Sequence, residues 1–217
     1  MPIHSKIILA SSSPRRAEIL RNAGFEFSVM SAEIDESWLA GEGAATYVER
    51  LAEAKAQAVA SQLRTKSPNL DSVIVGADTT VAIEGEILGK PESEEHAGRM
   101  LRRLSGRWHE VLTGLAVVAM RQPNEQQRVA VEKTRVEFAM LSEREIEDYI
   151  KTREPFDKAG AYAIQGRGGK FIPRIEGCYF NVMGLPLARL YAMLKEIESG
   201  THVEALFHRK VARRKFP

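Results

Sequence analysis

Ile7-Ile8-Leu9 form an unbroken apolar run, which suits a strand buried on both faces, and a helical pattern takes over at residues 17–23. Between them stands Ala10-Ser11-Ser12-Ser13-Pro14-Arg15-Arg16, a strand, hydroxyl-rich turn and helix start in sequence. Weak alternation over 25–30 predicts a short strand, and the polar segment 31–43 reads as loop. A helix is expected over 44–62, where Val48, Leu51, Ala52, Lys55 and Val59 recur at i, i+3, i+4, i+7 and i+11. Residues 65–71 connect it to a second apolar run, 72–77, which reads as a buried strand ending in Asp78, with extended pattern resuming over 80–83. Glu84-Gly85 then turns the chain into 86–88 as a hairpin. Ser93 is placed to cap a helix over 94–104 with Ala97, Met100, Leu101 and Leu104 inward. Residues 108–120 and 128–140 are rich in β-branched residues and predict two antiparallel strands around a polar loop, 121–127. Ser142 and Glu145 have capping-box spacing ahead of Ile146, Tyr149 and Ile150. The glycine-rich stretch 158–169 is followed by a strand-like segment, 171–175. A last helix from Pro186 buries Leu187, Leu190, Leu194 and Ile197.

Composition narrows the class. The 217 residues are enough for one substantial domain or two small lobes around a shared cleft. With 44% apolar and 28% charged residues, and no apolar run near the ~18 residues of a membrane span, the chain reads as a soluble protein. The N-terminus has no signal-peptide pattern, so the expected location is the cytoplasm. Cys178 is the single cysteine, which excludes an internal disulfide and a cysteine-based zinc cluster. Net charge is +2, but Arg209, Lys210, Arg213, Arg214 and Lys215 supply five positive charges in a tail without acids, leaving −3 on the rest. An acidic body argues against a broad nucleic-acid-binding face; the tail, 208–217, reads as a solvated end.

The candidate chemistry lies where elements end. Unpaired N–H groups at a helix start, the positive end of its dipole and two arginines make Ser11, Ser12, Ser13, Arg15 and Arg16 a seat for phosphate groups; the competing reading is an ordinary capped helix with solvated arginines. Lys55 falls on the inward stripe of its helix, from which a lysine either snorkels out or reaches into a polar cleft. Asp78, at the end of a buried strand, stands where ligands gather in open α/β sheets, the alternative being a turn or cap aspartate. Lys90, between Gly89 and Pro91, leaves a strand in position to face the same cleft. Gln165 carries an amide that both donates and accepts, as reading the edge of a base requires.

Taken together, Leu9 to Arg16, Asp35-Glu36, Lys55, Gly76-Ala77-Asp78-Thr79, Gly89-Lys90-Pro91, Leu104-Ser105-Gly106, Asp157 to Tyr162 and Ile164-Gln165-Gly166 resemble the Maf family of nucleoside triphosphate pyrophosphatases, in order from Lys6 to about Ile197. The resemblance implies a mixed, strongly curved sheet flanked by helices, in an elongated two-lobed α/β body with a central cleft. It implies one such domain over 1–207, often as a homodimer. It also implies hydrolysis of a nucleoside triphosphate between the α and β phosphorus atoms, with a divalent cation, Mg²⁺ or Mn²⁺. Thr79 and the Ile-Gln-Gly segment are similar to the dTTP/UTP subfamily; the 7-methyl-GTP subfamily typically carries a Ser-Glu-Gly type segment there. On that basis Arg15, Thr79 and Gln165 take the specificity positions and Asp78 the proton acceptor. Asp78 and Glu36 can divide the roles of base and metal ligand, while Arg16, Lys55, Lys90 and Ser11 to Ser13 hold the phosphates. Competing readings are the same reaction on 7-methyl-GTP or a modified pyrimidine triphosphate, and a nucleotide-binding regulator of septum formation. Ser12 stands where many family members have glycine.

Overall fold

The structure, a computed structural model, describes residues 5–67, 71–120 and 125–199. In chain order the elements are β1 (Lys6–Ala10), α1 (Pro14–Asn22), β2 (Phe27–Val29), α2 (Ala44–Lys66), β3 (Ser72–Ile83), β4 (Glu86–Leu88), α3 (Glu94–Leu104), β5 (Trp108–Met120), β6 (Gln126–Glu137), α4 (Glu143–Lys151), β7 (Arg174–Glu176), α5 (Tyr179–Met183) and α6 (Leu187–Ser199). Three short 3₁₀ turns lie between α4 and β7. The strands form one open, mixed seven-stranded sheet in the order β2-β1-β3-β5-β6-β7, with β4 also on β3. Strands β2, β1 and β3 are parallel, and the rest join antiparallel. Among the described residues no helix is long and apolar enough to cross a membrane.

The two long central strands carry the architecture. β3 and β5 have 12 and 13 residues, each about 40 Å long at ~3.3 Å per residue. Their first and second halves serve different cores. In one half, Val73, Val75 and Ala77 face a cluster with Ile19 and Leu20 of α1 and Leu190, Leu194 and Ile197 of α6. The alternate residue Ile74 faces Ala52, Ala56 and Val59 of α2. In the other half, Val81, Ile83 and Val111 join Leu101 and Leu104 of α3, Ile146 and Tyr149 of α4, and Phe138, Tyr162 and Phe171. Strands running through both halves make them one sheet whose halves pack separate clusters, one half filling both of its faces.

Glycines set how closely α2 lies on this sheet. A Cβ at Gly76 would come within 2.2 Å of the Ala52 carbonyl oxygen, and one at Gly114 within 2.0 Å of that of Val48. Only bare backbone allows the helix to rest there.

Most expected elements form, with instructive differences. Asp78 does not end a strand: β3 continues to Ile83 because β5 pairs it from Ser72 to Ala82. α2 runs to Lys66, four residues beyond the expected end. β6 begins at Gln126 and ends at Glu137, so the expected strand 128–140 is shifted toward the loop, of which residues 121–124 lie outside the described residues. The segment expected as a strand over 171–175 ends a 3₁₀ turn (Arg167–Phe171) before β7 starts at Arg174. α5, a five-residue helix, has no apolar period long enough to announce it. The Ser93 cap and the Ser142/Glu145 capping box form as spaced. The basic tail, 208–217, lies outside the described residues.

Candidate active site

The cleft opens where the edge of β3 lacks a strand neighbour. β1 pairs with β3 only as far as Gly76, and β4 resumes on the same edge at Val81. At residues 77–80 the two flanking segments have turned away: the serine turn after β1, and Gly89-Lys90 after β4. The result is a cleft of about 770 Å³. Ser11, Ser12, Ser13, Arg15, Arg16, Glu36, Lys55, Asp78, Thr79, Lys90 and Gln165 all line it. The strand end that faces it belongs to β1, in keeping with ligand binding beyond carboxyl ends of parallel strands.

Strand alternation sorts its chemistry. Ile74, Gly76 and Asp78 follow one another on the α2 side of β3, and Lys55 comes from α2 to meet the last of them. Lys55 Nζ lies 2.6 Å from Asp78 Oδ1 and 2.7 Å from Glu36 Oε1, joining both carboxylates. The lysine thus turns into the cleft, with its side chain 15% exposed, and does not snorkel outward. Partial burial pushes the Glu36 carboxyl up, but the hydrogen bond and charge of Lys55, with the charges of Lys90 and Arg16, hold it below its ordinary value. The loop carrying Glu36 is tied to α2: Tyr47 donates to the Glu36 carbonyl at 3.0 Å, and Arg50 forms paired bonds to Glu42 at 2.7 and 2.8 Å.

Thr79 points to the opposite face and meets Arg16. That guanidinium is buried, and each of its nitrogens makes one bond: Nε donates to the Gly184 carbonyl at 2.8 Å, Nη1 to Ser11 Oγ at 2.9 Å and Nη2 to Thr79 Oγ1 at 3.0 Å. Thr79 Oγ1 in turn lies 2.9 Å from Thr113 Oγ1, which donates to the Asn181 carbonyl at 3.2 Å. Hence the first serine of the turn supports an arginine. Ser13, at the N-cap of α1, makes no side-chain cap, so the competing reading of an ordinary capped helix does not hold there; its own N–H donates to Ser11 Oγ at 3.3 Å. Ser12 is exposed and Ser13 half-buried at an uncapped helix start, so the turn keeps hydroxyl groups at the positive end of the dipole.

Several cleft residues escaped the sequence reading. Tyr47 and Lys55 are two turns apart on one face of α2, a spacing that was visible. Asp157 and Lys158, which the resemblance held in one motif without giving either a role, both line the cleft and pair with one another. Thr113, Asn181 and Gly184 reach the Arg16 cluster only through sheet register and the turn after α5; no local signal announces that. The strap carrying Gln165 passes through left-handed backbone at Gly160 and Ala161 (φ 69° and 61°), with Gly160 N–H bonded to the Gly89 carbonyl at 3.0 Å.

Among the described residues no cluster of three or more His, Cys, Asp or Glu is placed to hold a metal ion. Asp78 and Glu36 are nevertheless hard oxygen donors on either side of a single cationic position. This suits a cation such as Mg²⁺, which takes one or two carboxylates and completes its shell with water and phosphate oxygens.

Relatives of this chain are close and nearly full-length. It is 50% identical over 195 residues to the dTTP/UTP pyrophosphatase of Hahella chejuensis, covering 90% of this chain and 94% of that protein. To that of Pelotomaculum thermopropionicum it is 50% identical over 191 residues, 88% and 96% of the two chains. The protein of the same name from Methylobacillus flagellatus is 51% identical over 191 residues, 88% and 92%. The family model described as Maf-like protein matches residues 6–197, the span that holds β1 and every residue of the cleft. On this match, and on half-identity across nine-tenths of its length, the chain belongs to the Maf family.

Proposed function

We propose that this protein hydrolyses dTTP and UTP at the α–β phosphoanhydride, releasing the nucleoside monophosphate and pyrophosphate. The observation that carries the reading is the pairing, in one cleft, of a carboxylate on the unpaired edge of β3 with cations from four segments. Relatives named dTTP/UTP pyrophosphatase at about half identity support the substrate.

In this reading Arg15, Lys55, Lys90 and Lys158 receive the triphosphate together with the hydroxyl groups of Ser12 and Ser13. Asp78 accepts a proton from water as its oxygen attacks the α phosphorus. The bond from that phosphorus to the bridging oxygen breaks, and its electron pair leaves with pyrophosphate, where the cations offset the charge. Asp78 and Glu36 would hold a divalent cation, which would supply Lewis-acid stabilisation of that charge. Arg16 holds the serine turn and Thr79 in place with three of its five N–H groups, and the other two, with its charge, serve the phosphates. Gln165 offers its amide to the edge of a pyrimidine, and Arg15 and Thr79 complete the specificity set. The reading takes 1–207 as one catalytic unit, working on the cytoplasmic nucleotide pool as a homodimer.

The test is pyrophosphate release from dTTP, UTP, CTP, 7-methyl-GTP, GTP and ATP with Mg²⁺ or Mn²⁺, for the wild type and Asp78→Asn. The expected result is preference for dTTP and UTP, reduced at least 100-fold in the variant while its melting temperature holds. Preference for 7-methyl-GTP overturns the role of Gln165; near-normal turnover by Asp78→Asn overturns the base.

A further inference from the structure

We propose that Lys55 holds, in the nucleotide-free protein, the position between Asp78 and Glu36 that a divalent cation takes during turnover, so that the cation enters with the nucleotide and not before it. The proposal rests on the reading of the cleft as a triphosphate site.

One ammonium contacts both carboxylates at hydrogen-bond distance, 2.6 and 2.7 Å. A cation coordinating the same oxygens needs them at ~2.1 Å, so it and the ammonium exclude one another. Displacing the ammonium requires somewhere for it to go. Its stem leaves α2 where that helix rests on Gly76 and Gly114, and its side chain is only 15% exposed. The other charged residues lining the cleft are Arg15, Arg16, Lys90, Asp157 and Lys158. Four of these repel an ammonium, and the one acid, Asp157, is already paired with Lys158.

A triphosphate changes that balance. It brings about four negative charges into a cleft of fixed cations, gives the displaced ammonium a phosphate to pair with, and supplies the oxygen ligands that two carboxylates leave unfilled. Before it arrives, a divalent cation must break two short ion pairs and strand a positive charge among positive neighbours. Cation and nucleotide affinity are therefore coupled, each raising the other by the same factor. The coupling keeps the two carboxylates compensated between turnovers, and it sets Lys55 free for the phosphates at the moment substrate binds.

The test follows Mn²⁺ binding to the full chain by the electron paramagnetic resonance signal of the free ion. Wild-type protein alone is expected to bind Mn²⁺ at least tenfold more weakly than in the presence of α,β-methylene-UTP, in which the scissile oxygen is replaced, after subtracting the Mn²⁺ that the analogue takes up without protein. Lys55→Met alone is expected to bind at least tenfold more tightly than the wild type alone, and adding Glu36→Gln to it removes the gain. Tight Mn²⁺ binding by the free wild type, unchanged by the analogue, overturns the proposal, and this comparison needs no variant to fold. So does a folded Lys55→Met protein without any gain. Turnover of dTTP by the wild type is measured alongside: its absence with Mn²⁺ coupling intact overturns the substrate reading, and turnover with uncoupled Mn²⁺ overturns only the role given to Lys55.

Discussion

At the scale of single residues, Thr113 is buried beneath Thr79, and the order of donors and acceptors there has a direction. Arg16 donates to Thr79 and Thr113 donates to the Asn181 carbonyl, while the single Thr79 hydroxyl proton is within reach of Thr113 Oγ1 at 2.9 Å and the Gly184 carbonyl at 3.4 Å. The chain of bonds transfers the position of α5 to a guanidinium at the floor of the cleft. Thr113→Val keeps the shape and removes the last donor and acceptor. The expected outcome is a fall in kcat of about tenfold, equivalent to ~1.4 kcal/mol, with Thr113→Ser close to wild type. Steady-state kinetics on dTTP for both variants checks this, and equal losses in the two would assign Thr113 to packing alone.

At the scale of elements, the decisive contact is α2 on β3 and β5. The register sets Asp78 opposite Gly114, and Gly76 lies two residues before Asp78 on the same face. Those bare positions let the helix backbone approach closely enough for Lys55 to reach the carboxylate. In Gly114→Ala the new methyl carbon collides with the Val48 carbonyl, and α2 has to lift. We expect a stability loss of about 1–3 kcal/mol from overpacking, read as a lower urea midpoint. Activity falls beyond what that loss explains, because the lift also draws Lys55 from Asp78. The helix period of α2 was plain in its sequence, and so was the inward place of Lys55. Which neighbour it met was not, since that depends on two glycines whose role is visible only once a helix lies on them.

At the scale of the whole molecule, one buried histidine makes the stability of the fold depend on pH. His109 lies in the cluster with Phe138 and Tyr162, 2% exposed, its Nε2 2.8 Å from the Tyr162 hydroxyl and its Nδ1 without a hydrogen-bond partner among the described residues. Burial lowers its pKa to about 4, from 6.5. The unfolded chain therefore takes up a proton as pH falls through 6.5, while the folded protein refuses it until about pH 4. This contribution to stability is complete above pH 6.5 and is lost below it, by about 1 kcal/mol at pH 5.5 and about 3 at full titration. Urea unfolding at pH 7.5 and 5.5 checks it: His109→Gln is expected to show a smaller drop between the two than the wild type.

Most elements other than α5, the caps of α3 and α4, and many of the side chains fit for a nucleotide cleft could be read from local sequence, because periodicity, capping and side-chain chemistry are local. Ser93, the Ser142/Glu145 box, the α2 stripe and, among the cleft residues, Ser11 to Ser13, Arg15, Arg16, Lys55, Asp78, Lys90 and Gln165 were legible in this way, while Glu36 and Thr79 came through the family resemblance. Only the tertiary structure decided that β3 runs on past Asp78, that Asp78 and Thr79 serve opposite faces of one strand, and that Arg16 is a buried support with Gly184, Ser11 and Thr79 as its partners. Strand continuation and register depend on a neighbour, here β5, whose paired residues lie 28 (Ala82↔Glu110) to 48 (Ser72↔Met120) positions further along the chain. The cleft itself is a gap between β1 and β4 on one edge, and a gap between neighbours has no sequence of its own.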